Sequence, residues 1–190
     1  MAKKNDEDSG LVGRFKQGDS FAFEEIVLEY QDMIYNVCCG ILGNPHDAED
    51  AAQEVFLKAF QSLGRFKPDA ALYTWLYRIA VNTCLDYKKS SFSRLFKRLF
   101  DDEERLKELP SKSPSPERAC ESRQIGDRLD DALGKIPCKL RIAIVLKELE
   151  GLSYEEIAGI LEISVGTVKS RISRARERLK ELLKDLREQI

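Results

Sequence analysis

The sequence predicts an all-α protein: two small helical domains joined by a flexible linker. Three observations carry this. Apolar residues recur at spacings of three and four along most of the chain, Gly and Pro punctuate the stretches between, and the composition changes between about residues 90 and 118. A chain of 190 residues has room for one domain or two. A hydrophobic content of 43% beside 34% charged residues suits a soluble, helix-rich protein.

The first helix is expected after Gly18, with Asp19 as its cap. Its buried stripe is Phe23, Ile26, Val27, Tyr30, Met33, Ile34, Val37 and Ile41. Gly43-Asn44-Pro45 ends it. A second helix carries Ala48, Ala51, Ala52, Val55, Phe56, Ala59 and Phe60. The stretch 63–71 reads as a loop, and a third helix runs from about Leu72 to about Lys89, with Trp75 assigned to the core. The first domain is therefore placed at 1–90.

The linker is placed at 91–118. Its Pro- and Ser-rich end, 110–117, cannot hold a long helix, because each Pro removes a donor and restricts its predecessor. Phe92, Leu95, Phe96, Leu99 and Phe100 make its start amphipathic. That piece suits a membrane-surface helix, or the preferred alternatives, a continuation of the third helix or a docked linker. The second domain, 119–190, opens with a helix over about 119–134. Pro137 then starts a helix carrying Leu140, Ile144, Val145 and Leu149, which stops at Gly151.

Charge is distributed unevenly. Residues 1–90 hold 10 basic and 14 acidic groups, whereas 163–190 hold 8 and 4, in a chain whose net charge is −2. The basic end carries a helix-turn-helix pattern. Ser153 and Glu156 form an S-x-x-E capping box before a short helix with Ile157, Ala158 and Leu161. Ser164 can cap a second helix whose apolar face is Val165, Val168, Ile172, Ala175 and Leu179. Glu162 stands at the turn, where Gly often relieves a positive φ. At ~100° per residue the outward face centres on Gly166, Ser170, Ser173, Arg174 and Glu177, flanked by Lys169 and Arg171. In this motif the start of the second helix reads base edges in the major groove. Arg174 suits bidentate bonds to guanine, while Arg176, Arg178 and Lys180 suit phosphates. A solvated Arg-rich surface helix is the bland alternative, which the two caps and the turn disfavour.

Several classes are disfavoured. The longest apolar run, Ile142 to Leu146, is far short of the ~20 residues that span a bilayer, so no stable membrane insertion is expected. No apolar stretch backs the N-terminal lysines, so no signal peptide is read and a cytoplasmic location is expected. The five cysteines include no C-x-x-C and there is one His, so no metal site or cofactor is expected. Reduced core thiols are the plain reading, with redox sensing or an unusual metal site as alternatives. No Gly-rich phosphate loop and no nucleophile–base spacing suggests an enzyme or a small-molecule substrate.

Residues 151–180 alone resemble both LuxR-type response regulators and bacterial sigma factors. The first half decides between them. Residues 47–66, DAEDAAQEVFLKAFQSLGRF, with 72–89, LYTWLYRIAVNTCLDYKK, resemble region 2 of extracytoplasmic-function (ECF) sigma factors. Residues 151–180 resemble their region 4. The resemblance implies core RNA polymerase and promoter DNA as partners, commonly with an anti-sigma factor. It places polymerase binding on Asp47, Glu49, Asp50, Gln53 and Glu54, a patch whose acidity suits a basic partner and repels DNA. Minus-10 opening falls by resemblance on Phe66 as a stacking platform for a flipped base, Asn82 as a base contact, and Arg65, Lys67 and Arg78 on phosphates. Minus-35 reading falls on Lys169, Ser170, Ser173 and Arg174, in agreement with the face derived from helix geometry. The linker resembles the family's connector, in which the acidic run from Asp101 to Glu104 can mimic nucleic acid. The competing readings are a stand-alone helix-turn-helix regulator and an interaction module centred on the acidic half.

Overall fold

The computed structural model describes residues 2–67, 71–101, 129 and 131–184, with side chains described at 6–67, 71–90, 129 and 131–184. All regular structure among them is helical: α1 (Ala2–Lys16), α2 (Phe21–Leu42), α3 (Pro45–Leu63), α4 (Leu72–Asp101), α5 (Cys138–Ile144), α6 (Tyr154–Leu161) and α7 (Val165–Leu182). Residues 131–135 form a further helical turn.

The first helix, α1, was not expected. Its apolar set is only Leu11, Val12 and Phe15, too few for a periodic stripe. It is held by packing on α2 and by buried Asp8, whose carboxylate accepts from Tyr30 Oη at 2.8 Å. Asp19 does satisfy the start of α2, accepting from Phe21 N–H at 3.0 Å, although Ser20 is the capping residue. The expected stripe is buried at Phe23, Ile26, Tyr30, Ile34, Val37 and Ile41. Gly43, at φ 73°, closes α2 in the left-handed conformation that Gly adopts without a Cβ clash. Asn44 then caps α3 by accepting from His46 N–H, with Pro45 in the first turn.

The inward face of α3 is Ala48, Ala51, Ala52, Val55, Ala59 and Leu63. Its small side chains let α3 lie close to both α2 and α4, and the three helices pack mutually. Phe60, expected on that stripe, is instead 48% exposed and meets Phe15 and Phe23 edge-on, at 5.4 and 5.1 Å between ring centroids. Helix α4 passes Lys89 and continues to Asp101, since no Gly or Pro interrupts it. The expected linker from 102 to 118, including the acidic run beyond Asp101, lies outside the described residues, as does most of the helix expected at 119–134.

Pro137 caps α5, which widens into a π-helical turn over Val145–Leu149. There Glu150 N–H bonds the Val145 carbonyl, five residues back. Gly151, at φ 67°, turns the chain towards α6. Helix α7 packs across α5 and α6 on Val168, Ile172 and Ala175.

The two halves meet. One apolar cluster runs from Val12 to Ile172 and includes Ile142, Val145, Leu146 and Ile157. Gly40 of α2 faces Val145 and Leu149 so closely that a Cβ there would stand 3.1 Å from Val145 Cγ1. Arg141, 4% exposed, donates to the Ile41 carbonyl at the end of α2 at 3.0 Å, to Ile136 O at 3.2 Å and to Gly134 O. The guanidinium thus satisfies carbonyls on both sides of the junction. Burial lowers its pKa.

Candidate nucleic-acid interface

Two local devices set the recognition helix. In the capping box Ser153 Oγ accepts from Glu156 N–H at 3.1 Å, and Glu156 Oε2 accepts from Ser153 N–H at 2.7 Å. Ser164 Oγ accepts from Thr167 N–H at 3.1 Å and starts α7. Between them Glu162 takes φ 53°, the left-handed turn position anticipated for it.

The outward face of α7 is as expected. Lys169, Ser170, Ser173 and Arg174 are exposed. Arg174 makes no hydrogen bond or ion pair to any described residue, so its guanidinium is free to meet a base edge. Lys169 Nζ stands 5.6 Å from the centre of the Tyr154 ring, which Lys147 also approaches at 5.0 Å. Ser170 Oγ donates back to the Thr167 carbonyl. Arg171 is half-buried.

The phosphate set differs from expectation at Arg176. Its guanidinium forks onto Glu148 Oε1, at 2.6 and 3.1 Å, and ties α7 to the π turn. Both ends of this pair are about half exposed, so it ties the two elements at the surface. Arg178 pairs with Glu181 at 3.1 Å, but both ends are more than 60% exposed and such a pair exchanges readily.

In the first half, Arg65 and Lys67 are exposed at the end of α3 and Asn82 is exposed on α4. Phe66, expected as a stacking platform, is 8% exposed in the free chain; its ring packs on Trp75 at 5.1 Å, and its carbonyl accepts from Lys16 Nζ at 2.6 Å. Trp75 sits partly buried against the core. Arg78 donates to the Gly159 carbonyl at 2.8 Å and pairs with Glu162 at 3.4 Å, while its Nε is buried without a protein acceptor.

The acidic set divides into two. Asp47, Asp50 and Glu54 line a groove of about 460 Å³ between α3 and α4, whereas Glu49 and Gln53 are exposed and do not line it. Asp86, Tyr87 and Ser90 complete the groove from α4. Sequence reasoning missed Asp86, whose only signal was a lone acid before two lysines. Lys58 bounds the groove, paired to Glu54 at 3.4 Å and donating to buried Thr83.

Among the described residues no cluster of His, Cys, Asp or Glu could hold a metal, and no helix is long and apolar enough to cross a membrane.

The Sigma-70 region 2 family matches residues 26–91, and the Sigma-70 region 4 family matches 126–179. The chain is 40% identical to the ECF RNA polymerase sigma factor SigW of Bacillus subtilis, over 92% of this chain and 96% of the relative. It is 39% identical to the RNA polymerase sigma-H factor of Pseudomonas aeruginosa, over 95% and 96%. It is also 39% identical to the ECF RNA polymerase sigma-E factor of Escherichia coli, over 90% and 91%. Among solved structures it resembles CnrH in complex with the cytosolic domain of CnrY, at a TM-score of 0.70 and 27% identity, covering 94% of this chain and 98% of that one. It also resembles the sigma factor RpoE bound to the anti-sigma factor NepR from Bartonella quintana, at 0.65 and 28%, covering 85% and 96%.

Proposed function

The chain belongs to the ECF RNA polymerase sigma factors, and from that premise we propose how its residues divide the work of promoter recognition. The protein binds core RNA polymerase and directs transcription initiation. Its C-terminal helix-turn-helix reads the minus-35 element and its N-terminal half opens the minus-10 element. We assign base reading at minus-35 to Lys169, Ser170, Ser173 and Arg174, with Arg171, Arg176 and Arg178 on phosphates. The observation that carries this is the outward face of α7, exposed and fixed at its start by Ser164, with Arg174 unengaged. A guanidinium that must first leave a carboxylate discriminates poorly, and this one has none to leave.

The groove of Asp47, Asp50, Glu54 and Asp86 is assigned to a basic segment of the polymerase, with Glu49 and Gln53 on its outer rim. Arg65, Lys67, Arg78 and Asn82 are assigned to the displaced minus-10 strand. Phe66 lies beside Arg65 and Lys67 with its ring on Trp75. The domains are taken as 1–90 and 119–190, with 91–118 between them. The protein is read as non-catalytic and cytoplasmic, where its polymerase works. An anti-sigma factor is a further partner, supported by the similar structure of the sigma factor RpoE in complex with the anti-sigma factor NepR.

Run-off transcription with core polymerase, followed by mapping of start sites, tests the assignment. Specific initiation is expected only when the chain and core enzyme are both present. Tight, specific promoter binding by the chain alone in a gel shift would favour a stand-alone regulator instead.

A further inference from the structure

The last residue of α1 reaches the segment assigned to the minus-10 strand. Lys16 Nζ donates to the Phe66 carbonyl at 2.6 Å, across 50 positions of sequence. That carbonyl belongs to the peptide joining Phe66 to Lys67, and Arg65 precedes it. Lys16 is itself exposed. Helix α1 lies outside residues 26–91, so the Sigma-70 region 2 match gives it no role.

We propose that Lys16 is a positioning residue for minus-10 recognition: its ammonium fixes the peptide between Phe66 and Lys67, so that α1 sets the form in which Arg65 and Lys67 meet the displaced strand. The inference rests on the assignment of Arg65 and Lys67 given above.

Three observations support it. The first is that the base of the lysine is anchored. Its neighbour Phe15 meets Phe60 of α3 and Phe23 of α2, at 5.4 and 5.8 Å between ring centroids. Arg14 pairs with Asp19 at 2.7 Å and with Glu25 at 2.8 Å, which clasps the end of α1 to the start of α2. Gly18, at φ 98°, makes the left-handed turn between them. The flexible stem of Lys16 therefore starts from a backbone held on two sides.

The second is how Phe66 is held. Its N–H bonds the Leu63 carbonyl at 3.1 Å, as Arg65 N–H bonds the Ser62 carbonyl at 2.9 Å, so both residues leave α3 in tight turns. Its ring lies on Trp75 of α4 at 5.1 Å. Its carbonyl takes Lys16 of α1. Three helices thus each fix one group of this residue. The third is the rigidity of the peptide itself. A peptide unit is planar, so an oxygen held in place also holds the N–H and Cα of Lys67. A bond from an ammonium is stronger than one from a neutral N–H, which suits an exposed position where water competes.

The test uses the full chain with core RNA polymerase on a promoter mapped by run-off transcription. Lys16→Met keeps a stem of similar length and removes the ammonium. Lys16→Arg keeps a charged donor. Circular dichroism reports folding. Open complexes are followed by permanganate reactivity of unpaired thymines, on the native promoter and on a set with single substitutions in the minus-10 element. Lys16→Met is expected to open the native promoter about fivefold less efficiently, the scale of one hydrogen bond lost. It should also discriminate less between native and substituted minus-10 elements, while minus-35 preference and affinity for core polymerase stay unchanged. Lys16→Arg should restore most of the loss. Lys16→Gln, with a neutral donor, should lie between the two, and it decides alone if Lys16→Met does not fold.

Binding of a fluorescein-labelled single-stranded minus-10 oligonucleotide to the holoenzyme, measured at several salt concentrations, separates positioning from direct contact. A lysine on a phosphate contributes about 0.7 to the slope of log affinity against log salt, whereas a positioning lysine leaves the slope unchanged. Unchanged opening and minus-10 preference in folded Lys16→Met overturns the inference. So does a loss accompanied by a shallower salt slope, which would make Lys16 a phosphate contact, and so does an equal loss in Lys16→Arg. Absence of initiation by the native chain with core polymerase would overturn the functional assignment and this inference with it. Native initiation beside an unaffected Lys16→Met overturns the inference alone.

Discussion

The two surfaces assigned to DNA are presented in opposite ways. On α7 the face of Lys169, Ser170, Ser173 and Arg174 is exposed, and Arg174 is unpaired among the described residues. On α4 the corresponding cation, Arg78, is engaged twice by the other half of the chain. The minus-35 reader is made ready by its own local sequence: two serine caps and one left-handed turn. Of the residues assigned to the minus-10 strand, Arg78 meets the Gly159 carbonyl and Glu162 in the other half of the chain, while Arg65, Lys67 and Asn82 are exposed. A surface fixed locally keeps its form whatever the rest of the chain does. One touched by distant residues takes part of its form from them.

The sharpest way to break this contrast is Arg141→Ala. It strands the carbonyls of Ile41, Gly134 and Ile136 and leaves a void between the halves, so we expect a loss of about 3 kcal/mol in urea denaturation. Arg141→Lys is not expected to restore the loss, since one ammonium lacks the planar fork that reaches several carbonyls. A loss within about 0.5 kcal/mol would mean that the bonds of Arg141 contribute little to the junction.

Arg174→Ala addresses the open side. Transcription from the native minus-35 sequence should fall relative to a base-substituted one by about 2 kcal/mol of discrimination, some thirtyfold, while opening of a pre-melted template stays unchanged. Unaltered sequence preference would remove Arg174 from base reading.

The smallest effect concerns Glu156, which caps α6 and accepts from Tyr73 of α4. Its pKa lies below the usual carboxylate range, chiefly through the Tyr73 hydroxyl and then through Ser153. A depressed folded value means stability that is complete above the unfolded pKa and lost as pH falls through the folded one. The native chain should therefore lose more stability than Glu156→Gln between about pH 5 and about pH 3, measured by thermal melts across that range. Parallel losses would show that the carboxylate charge is not used.

What was legible in the sequence follows the same division. The caps at Ser153 and Ser164, the turn at Glu162 and the outward face of α7 involve residues within a few positions of one another, and all are found where the pattern places them. The stripe of α2 and the breaks at Gly43 and Gly151 were equally local. Helix α1 was missed because its few apolar residues act only once α2 provides a surface. The role of Phe66 came from resemblance, and periodicity does not show that its ring lies on Trp75 or that Lys16, 50 positions earlier, bonds its carbonyl. The pairing of Arg176 with Glu148, 28 residues earlier, is equally invisible to periodicity.

The π turn at Val145–Leu149 has a consequence for chain length. By accommodating one residue beyond the α-helical repeat, it lets Glu148 reach Arg176 on α7 while Glu150, two positions on, reaches Tyr77 on α4. Deleting a single residue there would restore an ordinary helix and leave the elements on either side close to their present phase, because the wide turn already absorbs that residue. Only the carboxylates carried by the turn would shift against Arg176 and Tyr77. The segment should thus tolerate a one-residue deletion better than the α-helical part of α5, where each residue turns the chain by about 100°.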